Sequence, residues 1–150
     1  MVILRKMKSE DVEAVLALRL KWLAKEFGHT KITDAVQKWF YLYPNNPMAF
    51  AYVAETNGNC IGYILCALIA HPAMKGLLGE IDEIYVEDKY QRQGIGKRLV
   101  QQAHETFAEY TDDLTVFRAR VAHDDEDTQA FWQAMSYEHD TVEYIDYRLE

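Results

Sequence analysis

Cysteine, proline and long apolar runs are all scarce in this sequence of 150 residues, and each shortage excludes something. The two cysteines, Cys60 and Cys66, are too few for a disulfide framework, and no CxxC or His-rich partner makes them a metal site. They read as two small buried side chains in a reducing cytosol, which places the chain in the cytoplasm. The longest apolar stretch, Cys60 to Ala70, is about half of what a membrane span requires, so no membrane partner is expected. The opening MVILRKMKSE carries Arg5, Lys6 and Lys8 and lacks the apolar core of a signal peptide. Proline- or glycine-rich linkers, internal repeats and low-complexity stretches are also missing. The reading is therefore one domain over residues 1–150.

Cations are the remaining shortage. Sixteen Lys and Arg stand against 24 Asp and Glu, a formal charge of −8. An acidic chain repels phosphate backbones, so nucleic acid is not expected as a partner. The same charge favours cationic partners such as amines, or simply keeps the protein soluble. What is present is ordinary for a soluble globular chain, with 49% apolar and 27% charged residues. At this length folding buries roughly 68–70% of the unfolded surface, enough for a core without staples.

Periodicity places the elements. Val2–Leu4 begins a strand. Ser9 is positioned to cap a helix whose buried face is Val12, Val15, Leu16, Leu20, Leu23 and Phe27, with Gly28 ending it. A second helix runs from Asp34 to about Tyr43. Two strands, Ala49–Glu55 and Cys60–Ala70, flank Asn57-Gly58, a strong hairpin signal. After a turn-prone stretch from His71 to Gly79 come a strand Glu80–Val86 and a helix from about Gly96 to Tyr110. A strand Leu114–Val121, a helix Thr128–Met135 and a final strand Tyr144–Leu149 complete the order. Strands that begin as a hairpin set and later alternate with helices predict an α+β fold. Its central sheet is mixed, mostly antiparallel and flanked by helices.

The stretch from Ile84 to Leu99 carries the chemistry. A strand ends, a polar loop follows, and Gly94-Ile95-Gly96 opens an amphipathic helix. The first turn of a helix leaves N–H groups unpaired and favours anions, and glycines let a diphosphate come close to the backbone. Residues 89–98 hold Lys89, Arg92, Lys97 and Arg98 and no acid, a cationic island in an acidic chain. The Walker A pattern fails because Arg98 follows Gly96-Lys97 and no glycine lies five residues before Gly96. The dinucleotide fingerprint fails because Leu99 stands where its third glycine belongs.

Gln91-Arg92-Gln93-Gly94-Ile95-Gly96 resembles the Q/R-x-x-G-x-G/A motif of the GCN5-related N-acetyltransferases, and it sits in that family's context between strand and helix. The order of elements over most of the chain is similar too, the specific part running from about residue 80 to 137. The resemblance implies the GNAT acyl-CoA N-acyltransferase fold and transfer of acetyl from acetyl-CoA, with no metal. It implies that Gln91, Arg92, Gln93, Gly94, Ile95, Gly96 and Lys97 hold the cofactor's pyrophosphate. Ile84, Tyr85 and Val86 would offer backbone groups to the pantetheine arm and the thioester oxygen. Asp125, in place of the family's Asn, joins this cofactor set. Direct attack needs a neutral amine and hence a base or a water chain to remove a proton. Family members use an acid at the Glu80 or the Glu83 position. By pleat parity Glu80 and Asp82 share one face of the strand and Glu83 the other.

One departure stands out. The family's C-terminal Tyr, which protonates the leaving thiolate, is replaced by Trp132, and indole is no acid near neutral pH. Ser136 likewise replaces a Gly. Either Tyr144, Tyr147 or water would then serve in the Tyr's place, with Tyr144 the catalytic candidate, or CoA would leave unprotonated. The acceptor side would bring acids and aromatics, among them Trp22, Glu26, Trp39, Tyr43 and Glu138. Such a surface suits a small cationic amine. Acetylation of a protein N-terminus or lysine, and a non-catalytic acyl-CoA-binding module, are the alternatives. Homodimers are common in the family, which makes a second copy of the chain a candidate partner.

Overall fold

The structure, a computed structural model, describes residues 1–29, 31–71, 76–110, 114–121, 124–140 and 145–149. Two compact units divide the chain, Met1–Arg120 and Val121–Glu150. In the first, β1 (Ile3–Lys6) is followed by α1 (Val12–Phe27), α2 (Asp34–Phe40), β2 (Ala49–Thr56) and β3 (Asn59–His71). Then come β4 (Gly76–Val86), α3 (Ile95–Tyr110) and β5 (Leu114–Ala119). The sheet order is β1-β2-β3-β4-β5, antiparallel throughout except for the β4/β5 pair, which is parallel. A parallel pair needs a long crossover, and α3 lies within the connection between its two strands.

The local signals act as the sequence predicts at several points. Asn57 and Gly58 both have positive φ, 50° and 76°, which is the backbone of a type I′ hairpin turn. Gly28 takes φ 70° at the end of α1 and donates to the Ala24 carbonyl at 3.0 Å. Ser9, by contrast, does not cap α1. It opens a single 3-10 turn, Ser9–Asp11, and the Asp11 carboxylate accepts from the Lys8 N–H at 2.8 Å. Arg5 grips the same carboxylate at 2.7 and 2.8 Å, so Asp11 is the fixed acceptor here. Phe27 does not join the buried face either. It is 64% exposed at the helix end, and Leu18 is buried instead.

Alternation along β2 sorts the two faces. Ala49, Ala51 and Val53 join Val12, Val15, Leu16, Phe40, Tyr43, Tyr63 and Leu65 in the core beneath α1 and α2. Phe50 and Tyr52 point the other way, toward α3. There the Phe50 and Phe107 rings lie 4.8 Å apart, and a buried hydrogen bond of 2.8 Å joins Tyr52 to Thr106.

The sequence reading starts β4 at Glu80, but the strand begins at Gly76 and pairs Leu77 with Ala70 and Gly79 with Leu68. Gly79 belongs in the strand because rings cover it. A Cβ there would lie 2.9 Å from Phe117 and 3.0 Å from Phe107. In the second unit, α4 (Glu126–Ala134) carries a buried Trp132 whose ring packs on Tyr137 at 4.7 Å. The expected last strand is absent from residues 145–149, where Ile145, Tyr147 and Leu149 are exposed and bury no face. Tyr144 lies outside the described residues.

Gly79→Ala should destabilise the protein by about 1–3 kcal/mol, the usual cost of forcing an extra methyl into a filled core. Urea unfolding measures it, and a variant as stable as the parent would show that the two rings give way freely.

Candidate active site

An extra residue in β4 organises the acids. Ala67 pairs with Glu80 and Cys66 with Ile81, but Leu65 pairs with Glu83, so Asp82 is the residue left over at a β-bulge. Residues directly opposite in an antiparallel pair share a face. Ala67, Leu65 and Tyr63 all belong to the α1/α2 side, and so therefore do Glu80, Glu83 and Tyr85. Asp82 reaches the same side, accepting from the Tyr43 hydroxyl at 2.6 Å. The parity reading that sends Glu83 to the opposite face is thus corrected. Parity assumes an unbroken pleat, and the bulge resets it by one residue.

The three carboxylates have different company. Glu83 receives the Arg19 Nε–H on both oxygens, at 2.9 and 3.2 Å, and the Tyr63 hydroxyl as well. Glu80 is buried and has Arg120 at 3.4 Å. Burial first, and then the neighbouring Asp82 carboxyl, raise its pKa above the ordinary value. Burial and the bond to Asp82 likewise raise the Tyr43 phenol far above its ordinary value, so it remains a donor. Glu80 and Asp82 thus stand beside a separately neutralised Glu83.

Past the bulge the strand has an open edge. Among the described residues β5 pairs with β4 only from Leu77 to Ile81, whereas Ile84, Tyr85 and Val86 pair with Ile64, Tyr63 and Gly62 of β3. Trp22 of α1 packs near Tyr85, with ring centroids 6.4 Å apart. Lys21 and Lys25 of the same helix pair with Glu87 and Asp88 at 2.9 and 2.8 Å. Together with Tyr85 and Lys89 these side chains border a shallow hollow of about 300 Å³.

The loop to α3 is braced by its own side chains. Gln91 Nε2 donates to the Val86 carbonyl at 2.7 Å, tying the loop to the last residue of β4. Arg92 and Gly94 are left-handed, with φ 63° and 80°, and open space surrounds the place where a Cβ of Gly94 would sit. The Gly94 carbonyl accepts from the Arg98 N–H at 3.0 Å, so it caps the start of α3. Ile95, Gly96 and Lys97 then form the first turn, whose N–H groups have no carbonyl one turn before them.

The candidate cofactor residues divide by exposure. Arg92, Gln93, Gly94 and Lys97 are exposed, whereas Ile95 is buried and anchors the helix. The cationic island is less concerted than its sequence suggests. Arg98 donates to the Val2 carbonyl at 3.2 Å, and the Lys89 ammonium lies 5.2 Å from the centre of the Tyr90 ring. Asp125, in the second unit, spends its carboxylate on the start of α4. It accepts from the Thr128 N–H at 3.1 Å and the Thr128 hydroxyl at 2.6 Å, bonds that lower its pKa.

Among the catalytic candidates, Glu80 and Glu83 come together on one face, and Tyr144 lies outside the described residues. Sequence reasoning left Asp82 out of the site and did not find Arg19 and Tyr63. No sequence signal marks a bulge of this kind, although three acids within four residues of one strand were a pointer.

The profile of the acetyltransferase (GNAT) family matches residues 14–137. No curated protein matches the sequence. Similar solved structures include a possible acetyltransferase from Clostridium difficile 630, with a TM-score of 0.84 at 13% identity, covering 100% of this chain and 99% of that one. An aminoglycoside acetyltransferase from an uncultured soil metagenomic sample, in complex with sisomicin, has a TM-score of 0.80 at 18% identity. That match covers 99% of this chain and 97% of the other. Ribosomal-protein-alanine N-acetyltransferase from Brucella melitensis biovar Abortus 2308 has a TM-score of 0.76 at 17% identity, with 99% of each chain covered. With the family profile spanning most of its length and the same fold in these structures, the chain belongs to the GNAT family of acetyl-CoA-dependent N-acetyltransferases.

Proposed function

We propose that the protein transfers acetyl from acetyl-CoA to the primary amine of a small cationic acceptor, by direct attack of the amine on the thioester. The observation that carries this reading is the gathering of Glu80, Asp82 and Glu83 on one face of β4, immediately before the strand's open edge. A protonated amine is drawn to carboxylates, and the tyrosines and tryptophans of α1, α2 and the segment after α2 supply faces for it. The aminoglycoside acetyltransferase among the similar structures supports the same acceptor class.

The residues suit the two substrates in different ways. The exposed first turn of α3, with left-handed Gly94 before it, leaves backbone N–H groups for a diphosphate, and Arg92 and Lys97 add charge. Along Ile84–Val86 a backbone N–H would meet the thioester oxygen and stabilise the charge that develops there. A carboxylate of β4 would take the amine's proton. The attack forms the C–N bond, the C–S bond breaks, and the sulfur leaves with a proton as the CoA thiol.

Two measurements test this. Release of CoA thiol is followed over a panel of small polyamines, aminoglycosides, free α-amino peptides and lysine peptides. Turnover highest with the small polycations is the expected result. Tight acetyl-CoA binding without turnover of any amine would sink the reading in favour of a binding module, and preference for peptides would favour protein acetylation. Separately, Gly94→Ala should weaken CoA binding in calorimetry roughly 5- to 30-fold. A left-handed alanine costs about 1–2 kcal/mol, which binding must supply each time it restores the loop.

A further inference from the structure

The segment Ile145-Asp146-Tyr147-Arg148-Leu149 has the pattern of a strand and no strand to pair with. Its apolar and charged side chains alternate, so an extended backbone would set Ile145, Tyr147 and Leu149 on one face and Asp146 and Arg148 on the other. Residues 145–149 take no regular structure, and among the described residues no strand pairs with them. The three apolar side chains are 95%, 89% and 89% exposed. Single exposed apolar residues are ordinary, but three at alternate positions of one short segment mark an interaction surface. A backbone outside any ladder is, in addition, a ready template for another strand.

The charges identify the partner. Laid antiparallel against a second copy of itself about Tyr147, the segment sets Ile145 opposite Leu149, Asp146 opposite Arg148 and Tyr147 opposite Tyr147. Each apolar residue then meets an apolar one, and each charge meets its opposite. Within one chain Arg148 reaches Asp146 only at 3.5 Å, with both side chains mostly exposed. The two edge strands of the sheet, β1 and β5, match the segment less well. Their sequences, Ile-Leu-Arg-Lys and Leu-Thr-Val-Phe-Arg-Ala, hold no acid to meet Arg148 in any register.

We propose that residues 145–149 form an antiparallel strand pair with the same segment of a second copy, centred on Tyr147, and so join two chains in a twofold homodimer. A twofold interface requires a self-complementary surface, in which one residue meets a second and the second meets the first. This segment meets that requirement in both its apolar and its charged positions. The ladder between the copies supplies main-chain hydrogen bonds, and the apolar face sets its register. A ribbon of two such short strands is marginal in water, so the association is reversible and depends on concentration.

Sedimentation equilibrium of the full chain, from about 10 µM to about 1 mM, should show a reversible monomer–dimer equilibrium. Tyr147→Asp should leave a monomer throughout. Asp146→Arg should weaken association roughly 5- to 30-fold, because it turns two favourable cross-strand charge pairs into repulsive ones. Adding Arg148→Asp to it should restore association, since the exchanged charges still meet. Cross-linking reads the register. Tyr147→Cys should give a disulfide-linked dimer under mild oxidation, because directly opposed residues lie within disulfide reach. Ile145→Cys should not, because its counterpart in the second copy lies ~13 Å along the ladder. The wild type, with its half-buried Cys60 and buried Cys66, is the control. A wild type that stays monomeric at every concentration overturns the proposal. So does a dimer that Tyr147→Asp leaves intact, a charge exchange that fails to restore association, or equal cross-linking at positions 145 and 147.

Discussion

The ion pair between Arg19 and Glu83 is the constraint from which the rest of the site follows. It joins the middle of α1 to β4 at the bulge, and Tyr63 brings β3 into the same contact. The two side chains are only 17% and 10% exposed, so neither charge is well solvated on its own. Breaking such a pair by removing one partner costs about 3–5 kcal/mol, because it strands a buried charge. The Arg19 guanidinium also lies 5.5 Å from the centre of the Phe40 ring, which couples α2 to the same point. Lys21 and Lys25 continue the helix's grip toward the loop, but they are exposed and add little to stability. Their effect is on placement. The helix that locks the bulge is also the helix that borders the strand's open end.

A bulge at Asp82 changes what a strand can present. In an unbroken pleat, three acids within four residues divide between two faces, and one of them would enter the α3 side of the sheet. There Phe50, Phe107 and Phe117 fill the space, with centroids 4.8 to 5.2 Å apart. The inserted residue resolves the conflict by turning all three acids to the α1/α2 side, where an arginine and two tyrosine hydroxyls meet them. The local irregularity thus places the three acids on one face of β4.

Features set by a few adjacent residues were legible in the sequence. The Asn57-Gly58 turn, the Gly28 stop and the Gln91–Gly96 entry to α3 each depend on backbone freedom or on a helix start, and each was placed to within a residue or two. The family resemblance was carried by that last segment. Features set by distant partners were not legible. Gly79 looks like a turn residue until Phe107 and Phe117 are seen to cover it. Ser9 looks like a cap until Arg5 is seen to hold Asp11 instead. Glu83 looks like a free acid until Arg19, 64 residues earlier in the chain, is seen to cover it.

The same division explains why one half of the chemistry is easier to read than the other. A diphosphate can be held by backbone N–H groups, and a backbone shape is written in consecutive residues, two glycines and a helix start. The basicity of a side chain depends on what surrounds it, and around the three acids of β4 that means α1, the segment after α2, β3 and Arg120 just after β5. The charge of −8 follows this split as well. The exposed cations Arg92 and Lys97 lie at the exposed entry to α3, whereas among the acids of β4 Glu80 is buried and Glu83 is paired with Arg19. The surplus of negative charge is therefore a poor guide by itself. The bulge and Arg19 sort the acids of β4, closing Glu83 with Arg19 and Tyr63, and the sorting is done by position rather than by composition.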